Sequence, residues 1–375
     1  MQDLSQHWQL DDSIIYLNHA AVSPWPIPTQ QAVTRFAEEN SRIGTQRYPT
    51  WLGVENKLRQ HAAALINAPK VSDIALVKNT SEGLSFIAYG LSWNAGDNIV
   101  ISDQEFPSNR IVWESLANQG VSVRKVNLHS AATPELALMQ ACDQHTRLLS
   151  VSSVQFASGL RLLLDELGEF CKKQQILFCV DAIQSLGAAA FDVQACQADF
   201  VVADGHKWMA GPEGIGIFYV REDIRHQMRL TQFGWHMIDD VGNYDRQDWT
   251  PAKSARCFEC GSPNMLGIHA LQASLNLLLS VGLPTIERAV RDNARYLMDR
   301  ISADRRLELV SDPQSDRFLG IVSFKVRQSD QEIVYRRLMS RGVMCALRHG
   351  ALRFSPHYYI QPRQLDEALE QILPT

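Results

Sequence analysis

The sequence predicts an α/β fold, with a large domain built on a mostly parallel seven-stranded sheet and a smaller α+β C-terminal domain. Between Ser72 and Val220 seven short β-rich runs alternate with amphipathic helical stretches, the rhythm of strands joined by crossover helices. After Pro263 the texture changes to long helical stretches, then a strand-rich piece at 320–326 and a last helix. At 375 residues the chain also exceeds the ~250 to 300 residues at which a single hydrophobic core stops growing. The expected boundaries are 15–262 for the large domain and 263–375, joined by 1–14, for the small one.

In chain order the strand candidates are IALVKN from Ile74, NIVISD from Asn98, VSVRKV from Val121, RLLSVSS from Arg147, ILFCVDA from Ile176, ADFVVAD from Ala198 and GIGIFYV from Gly214. Between them SEGLSFIAYGLSW, NRIVWESLANQG and LLDELGEFCKKQQ carry apolar residues at three-to-four spacing, as crossover helices covering both faces would. The small domain is expected to hold the helices MLGIHALQASLNLLLSVG, IERAVRDNARYLMDRISA and QLDEALEQIL, with a strand at GIVSFKV.

Composition narrows the function. A net charge of -5 with acidic and basic residues interspersed provides no basic stripe for a nucleic acid. The opening MQDLSQHWQLDDS is polar and acidic, and no apolar run reaches the ~18 to 20 residues of a membrane span, so a cytoplasmic protein without membrane contact is expected. Seven cysteines, an odd number scattered from Cys142 to Cys345, suggest reduced thiols. Cys257 and Cys260 form a CxxC without further ligands at metal-site spacing, so no metal is expected.

The chemistry concentrates in a few runs. In ADFVVADGHKWMAGPEGIGIFYV an apolar strand ends at Asp204 and Lys207 follows in a glycine-flanked turn. Ligands bind beyond the carboxyl ends of strands in open α/β sheets, so Lys207 can reach a cofactor, although a lone lysine is ordinarily solvated. ILFCVDAIQS puts Asp181 at the end of a buried strand, where a carboxylate needs a partner such as a pyridinium nitrogen; a helix-capping Asp is the ordinary alternative. Gln184 follows three residues later and could donate to a ring oxygen. In ALVKNTSEGLSF a strand gives way to a capped helix start, so Thr80, Ser81 and Glu82 offer backbone N–H groups to a phosphate. The sequence contains neither a Walker A pattern nor GxGxxG, which disfavours a nucleotide as the owner of that phosphate.

With these runs in place, the chain resembles the class V aminotransferases. These are the fold-type I pyridoxal-phosphate (PLP) enzymes that include cysteine desulfurases, selenocysteine lyases and isopenicillin N epimerase. YLNHAAVSPWP, NTSEG, EFPSN, VSSVQFASG, VDAIQS, DGHKWMAGPEGIG, FECGSPN and LRFSPHYY occur in the family order over nearly the whole chain. The resemblance implies pyridoxal 5'-phosphate as cofactor, bound to Lys207 as a Schiff base, with Asp181 at the pyridine nitrogen, Gln184 at the ring oxygen and Phe106 stacked on the ring. It implies that Thr80, Ser81 and His206 hold the phosphate and that Arg353 grips the substrate α-carboxylate. It further implies a homodimer with shared active sites, in which Gly261 and Ser262 reach the neighbouring subunit's phosphate. Gln155 is a candidate ring or substrate contact.

Three departures from desulfurases bear on the reaction. Phe106 stands where they place a histidine, and a phenyl ring cannot move protons. Cys345 lies eight residues before Arg353, with no room for a reactive-cysteine loop, which suits a buried thiol. Asp204 replaces a phosphate-binding serine, so its side chain is expected to turn away from that dianion. The expectation is an enzyme acting on an amino acid through a Cα carbanion, with amino-group transfer as the family default and a keto acid as acceptor. Lyase chemistry of the selenocysteine-lyase or desulfurase kind, or epimerisation, is the alternative. Lys207, Asp181 and Arg353 together argue against a catalytically silent PLP-binding regulator. His19, Tyr48 and Trp235 are further pocket candidates.

Overall fold

The computed structural model describes residues 5–312 and 316–372; residues 1–4 of the expected N-terminal piece of the small domain, 313–315 and 373–375 lie outside them. Strand β1 (Ile15–Tyr16) precedes helices α1 (Ile27–Ile43) and α2 (Tyr48–Leu65). The alternating region then runs β2 (Ile74–Val77), α3 (Thr80–Gly90), β3 (Asn98–Ser102), α4 (Ser108–Glu114), β4 (Ser122–Val126), α5 (Pro134–Ala141) and β5 (Thr146–Ser152). It continues through α6 (Leu164–Gln174), β6 (Leu177–Asp181), β7 (Phe200–Asp204) and β8 (Gly216–Val220), followed by the short α7 (Glu222–Arg225). All seven expected strands are present. They form one sheet in the order β2-β8-β7-β6-β5-β3-β4, parallel except for β8, which runs antiparallel to both neighbours.

The sheet is buried on both faces because its apolar residues alternate between two cores, as period-two side chains must. Phe178 and Val180 of β6, with Val201 of β7 and Ile217 of β8, face a core that also receives α2, α6 and the C-terminal region. Cys179, Phe200, Val202 and Phe218 face the other, beneath α3 and α4. Three buried ion pairs tie down the β2 edge. Arg59 on α2 makes two hydrogen bonds to Glu259 (2.5 and 2.7 Å) and one to Glu55 (2.5 Å), while Glu259 also accepts from the Leu76 N–H of β2. Arg225 pairs with Asp73 at 2.8 Å.

The C-terminal part comprises α8 (Met265–Val281), α9 (Leu283–Ala303), β9 (Leu307–Leu309), β10 (Val322–Val326), α10 (Gln331–Ser340), β11 (Val343–Met344), β12 (Ala346–Arg348), β13 (Ala351–Phe354) and α11 (Pro362–Glu370). An antiparallel sheet in the order β12-β13-β10-β9 forms its floor. Helix α8 packs on α1 and α2, whereas α9, bent 85° from it, packs on β9 and β10. The packing partners therefore change at Gly282, between the two long helices. The reason is compositional: α8 is apolar nearly all round and buries against two helices, while α9 is amphipathic and lays one stripe, including Ile286, Val290, Leu297 and Ile301, on the small sheet.

Residues 15–23 bind both parts. Strand β1 pairs with β11, Ile15 to Val343, and His19 holds Ser355 O (2.8 Å) and the Tyr359 hydroxyl (2.7 Å) through its two ring nitrogens. Four residues on, the Ser23 N–H donates to His206 O at 2.7 Å. His19 is thus a buried structural residue and not a pocket residue.

Close packing reverses one ordinary helix rule. An alanine normally exceeds a glycine inside a helix by ~1 kcal/mol, but a Cβ on Gly168 of α6 would lie 1.8 Å from the Cys196 carbonyl oxygen. Gly168→Ala is therefore expected to destabilise the protein by about 1 to 3 kcal/mol, seen as a lower thermal unfolding midpoint of the apoprotein; an unchanged or higher midpoint would contradict this packing.

Candidate active site

The strand ends assemble a cleft of about 350 Å³ at the carboxyl edge of the large sheet, closed on its far side by the β12–β13 hairpin. Asp181 enters from the end of β6, Lys207 from the turn after β7, Phe106 from the turn after β3, and Thr80 and Ser81 from the start of α3. Neighbouring parallel strands deliver their ends to one edge, so residues far apart in sequence converge there.

Lys207 is held by its backbone. Ala210, at φ 53°, donates its N–H to Lys207 O (2.9 Å), and Gly211 donates to Gly205 O (2.8 Å), making a tight turn. The side chain is 7% exposed, with Nζ 5.3 Å from the Phe106 ring centroid. Burial holds its amine below the ordinary lysine value of 10.5, helped by Arg353 and Arg348 and opposed by Asp181. Asp181 is fully enclosed and accepts from the Ile183 N–H (3.0 Å); burial pushes its carboxyl up, with Lys207 opposing. The cleft thus contains a carboxylate that lacks a close cation, the condition a pyridinium nitrogen satisfies.

Several other groups await a ligand. Asn79 caps α3 by accepting from the Glu82 N–H (2.9 Å), and the first intrahelical bond is Gly83 N–H to Asn79 O. The N–H groups of Thr80 and Ser81 precede that bond and remain for an anion. The buried Thr80 hydroxyl has no hydrogen-bond partner. His206 Nδ1 lies 3.2 Å from Asp204 Oδ1 but out of hydrogen-bonding alignment, so it too is unsatisfied. Arg353, 1% exposed, donates through Nη1 to Phe156 O (2.7 Å), while Nε and Nη2 have no partner. Burial and Arg348 push its guanidinium down to about 9. An anion cradle, an uncompensated carboxylate and a half-used guanidinium fork around a buried lysine suit pyridoxal phosphate and an α-carboxylate.

Not every expected residue reaches this cleft. The Glu82 side chain turns back to accept from Lys78 N–H (2.7 Å) and pair with Lys78 Nζ (3.0 Å), and its own N–H is taken by Asn79, so it has no donor to offer. Gln155 is wholly buried beneath the wall, bonded to Ser102, Glu105 and Ser152; its neighbour Phe156 lines the cleft instead. Gln184 lines it, with its oxygen accepting from Trp208 Nε1 (2.9 Å) and its nitrogen donating to Ala20 O (3.0 Å), which leaves one N–H. Asp204 is on the wall, with Oδ1 held by the Gly205 N–H (2.9 Å). Gly261, Ser262, Tyr48 and Trp235 do not line the cleft of this chain.

Arg348 lines the cleft but was not singled out from the sequence. Its signal was the run ALRHGALRF, where a tight turn at His349 and Gly350, both at positive φ, folds two arginines onto one face of a hairpin. Cys345, on the same hairpin, is 1% exposed, and burial pushes its thiol up to about 12. None of the seven cysteines lines the cleft.

The chain is similar to several known proteins. A probable cysteine desulfurase of Methanothermobacter thermautotrophicus is 31% identical over 96% of this chain and 94% of its own. A cysteine desulfurase of Salmonella typhimurium is 31% identical over 84% of this chain and 78% of its own. Among solved structures, the apo cysteine desulfurase of Thermococcus onnurineus NA1 superposes with a TM-score of 0.87 at 25% identity, covering 98% of this chain and 96% of its own. The cystine C–S lyase C-DES in complex with cysteine persulfide gives 0.89 at 22% identity, covering 96% and 97%, a likeness of fold. The family model for aminotransferase class-V matches residues 15–357. With that match spanning both sheets and the whole cleft, the chain belongs to the class V aminotransferase family of pyridoxal-phosphate enzymes.

Proposed function

We propose that this protein is a PLP-dependent β-lyase that removes a sulfur-containing β-substituent from a cysteine-type amino acid and releases it to solution. The observation that carries this reading is the lack of a thiol in the cleft. Capture of sulfur by an enzyme cysteine gives alanine and a protein persulfide, and needs a reactive thiolate beside the substrate. The buried Cys345 thiol, held neutral, is the opposite of that. The relatives named as cysteine desulfurases support sulfur amino acids as the substrate class.

When bound, pyridoxal phosphate supplies an electron-withdrawing ring conjugated to the substrate's amino group. Thr80, Ser81 and His206 would hold its phosphate, Phe106 would cover one face of its ring, and Asp181 would keep the ring nitrogen protonated. Arg353 orients the substrate through its carboxylate. Lys207, as a neutral amine, would take the proton from Cα. The Cβ–S bond then breaks with its electron pair going to sulfur, which departs as hydrosulfide. Hydrolysis of the remaining enamine balances the reaction: cysteine and water give pyruvate, ammonia and hydrogen sulfide. A homodimer in which Gly261 and Ser262 reach the partner's phosphate site completes the scheme.

Amino-group transfer is the second reading, favoured by a carboxylate fork and base that suit any α-amino acid. It requires a keto acid and releases no sulfide. Incubated with L-cysteine and no keto acid, the holoenzyme is expected to release pyruvate and sulfide in equal amounts, and Cys345→Ser is expected to do the same. Alanine as the main product, or loss of turnover in a folded Cys345→Ser protein, would refute elimination without a protein persulfide.

Lys207→Ala is expected to lower kcat by about 10²- to 10⁴-fold or more; full turnover would exclude Lys207 as the base. Attachment of pyridoxal phosphate to the apoprotein requires the neutral amine. Its rate should therefore rise with pH through a midpoint below 10.5, and Arg353→Gln, which removes a neighbouring positive charge, should move that midpoint upward. A midpoint at the ordinary lysine value in both proteins would contradict the burial argument.

A further inference from the structure

We infer that Arg348 forms a second anion subsite, and that the preferred substrate carries a carboxylate at the end of its side chain in addition to its α-carboxylate. This rests on the β-lyase reading only for the reaction that follows binding. In the β12–β13 pair Ala346 lies opposite Arg353 and Arg348 opposite Ala351, so both arginines project from the same face of the hairpin. They are diagonal neighbours, their attachment points roughly 7 to 8 Å apart, and both line the cleft.

Neither arginine is neutralised by the protein. Among the described residues no carboxylate pairs with either, whereas Arg336 and Arg363 each find a glutamate four residues away on their helices. The one hydrogen bond Arg348 makes is from Nη1 to the adjacent Leu347 carbonyl (2.9 Å), which leaves the rest of its fork open. The acidic groups of the cleft are committed elsewhere or exposed. Asp181 faces the ring nitrogen in the scheme above, Asp204 is held by the Gly205 N–H, and Glu213 is on the solvent rim.

Counting charge leads to the same place. The helix start and His206 answer the cofactor phosphate, and Arg353 answers the α-carboxylate. Arg348 is the remaining guanidinium in a half-enclosed wall, where a permanently charged planar fork is suited to bidentate recognition of a carboxylate. Its position on the same hairpin face as Arg353 makes it read the substrate's other end.

The test measures binding without turnover, by calorimetric titration of the holoenzyme with succinate and with butyrate, two four-carbon acids that differ by one terminal carboxylate. Succinate is expected to bind roughly tenfold or more tightly than butyrate, the worth of one charge-assisted contact. Arg348→Gln should erase most of that gap, Arg348→Lys should keep part of it, and Arg353→Gln should weaken both ligands. Equal binding of the two acids by the native holoenzyme, or an Arg348→Gln protein that weakens both equally, would overturn the second subsite. Failure of elimination itself would appear separately, as no pyruvate from any amino acid while the succinate preference persists.

Discussion

The structure is organised around a lysine and an aspartate buried at the ends of adjacent parallel strands. Charged groups of this kind cost several kcal/mol each to strip of water unless they find partners, and Asp181 and Lys207 are enclosed in a wall of apolar sheet. Burial moves both toward their neutral forms. The polar arrangement around them, from the capped start of α3 to the half-used Arg353 fork, supplies the interactions that a phosphate, a pyridinium and a carboxylate would complete. In this sense the protein without its cofactor is an unfinished electrostatic network, and a core optimised for stability alone would not contain it.

Much of this was legible in the sequence because the governing rules are local. Strands buried on both faces are short apolar runs, so all seven strands of the large sheet stood out. Asp181 was marked by its place at a strand end after five apolar residues, Lys207 by the glycine-flanked turn that follows the next strand, and Thr80 and Ser81 by the N-cap pattern. Cys345 was legible as a buried thiol because the hairpin around it is too short for a loop.

The rest depended on direction and register, which sequence carries poorly. Gln155 and Phe156 are adjacent, and which one faces the cleft is decided by how the chain turns after β5. Glu82 sits at the right helix start, but its side chain closes a capping arrangement with Lys78. Arg348 required knowing that two arginines five residues apart are brought to one face by strand pairing across the turn. The bend between α8 and α9 was also hard to read, because Pro263 is the visible punctuation while the packing partners change at Gly282.

The segment 15–23 has a mechanical meaning. It is stitched at one end to the C-terminal sheet region through β11, Ser355 and Tyr359, and at the other to the carbonyl of His206, one residue from the lysine. Ala20 on the same segment also holds Gln184. The C-terminal sheet and the turn that carries Lys207 are therefore joined through one short strap, so a displacement of either would be felt by the other. The protein's early residues, remote in sequence from Lys207, act as a tendon between that lysine's turn and the C-terminal sheet.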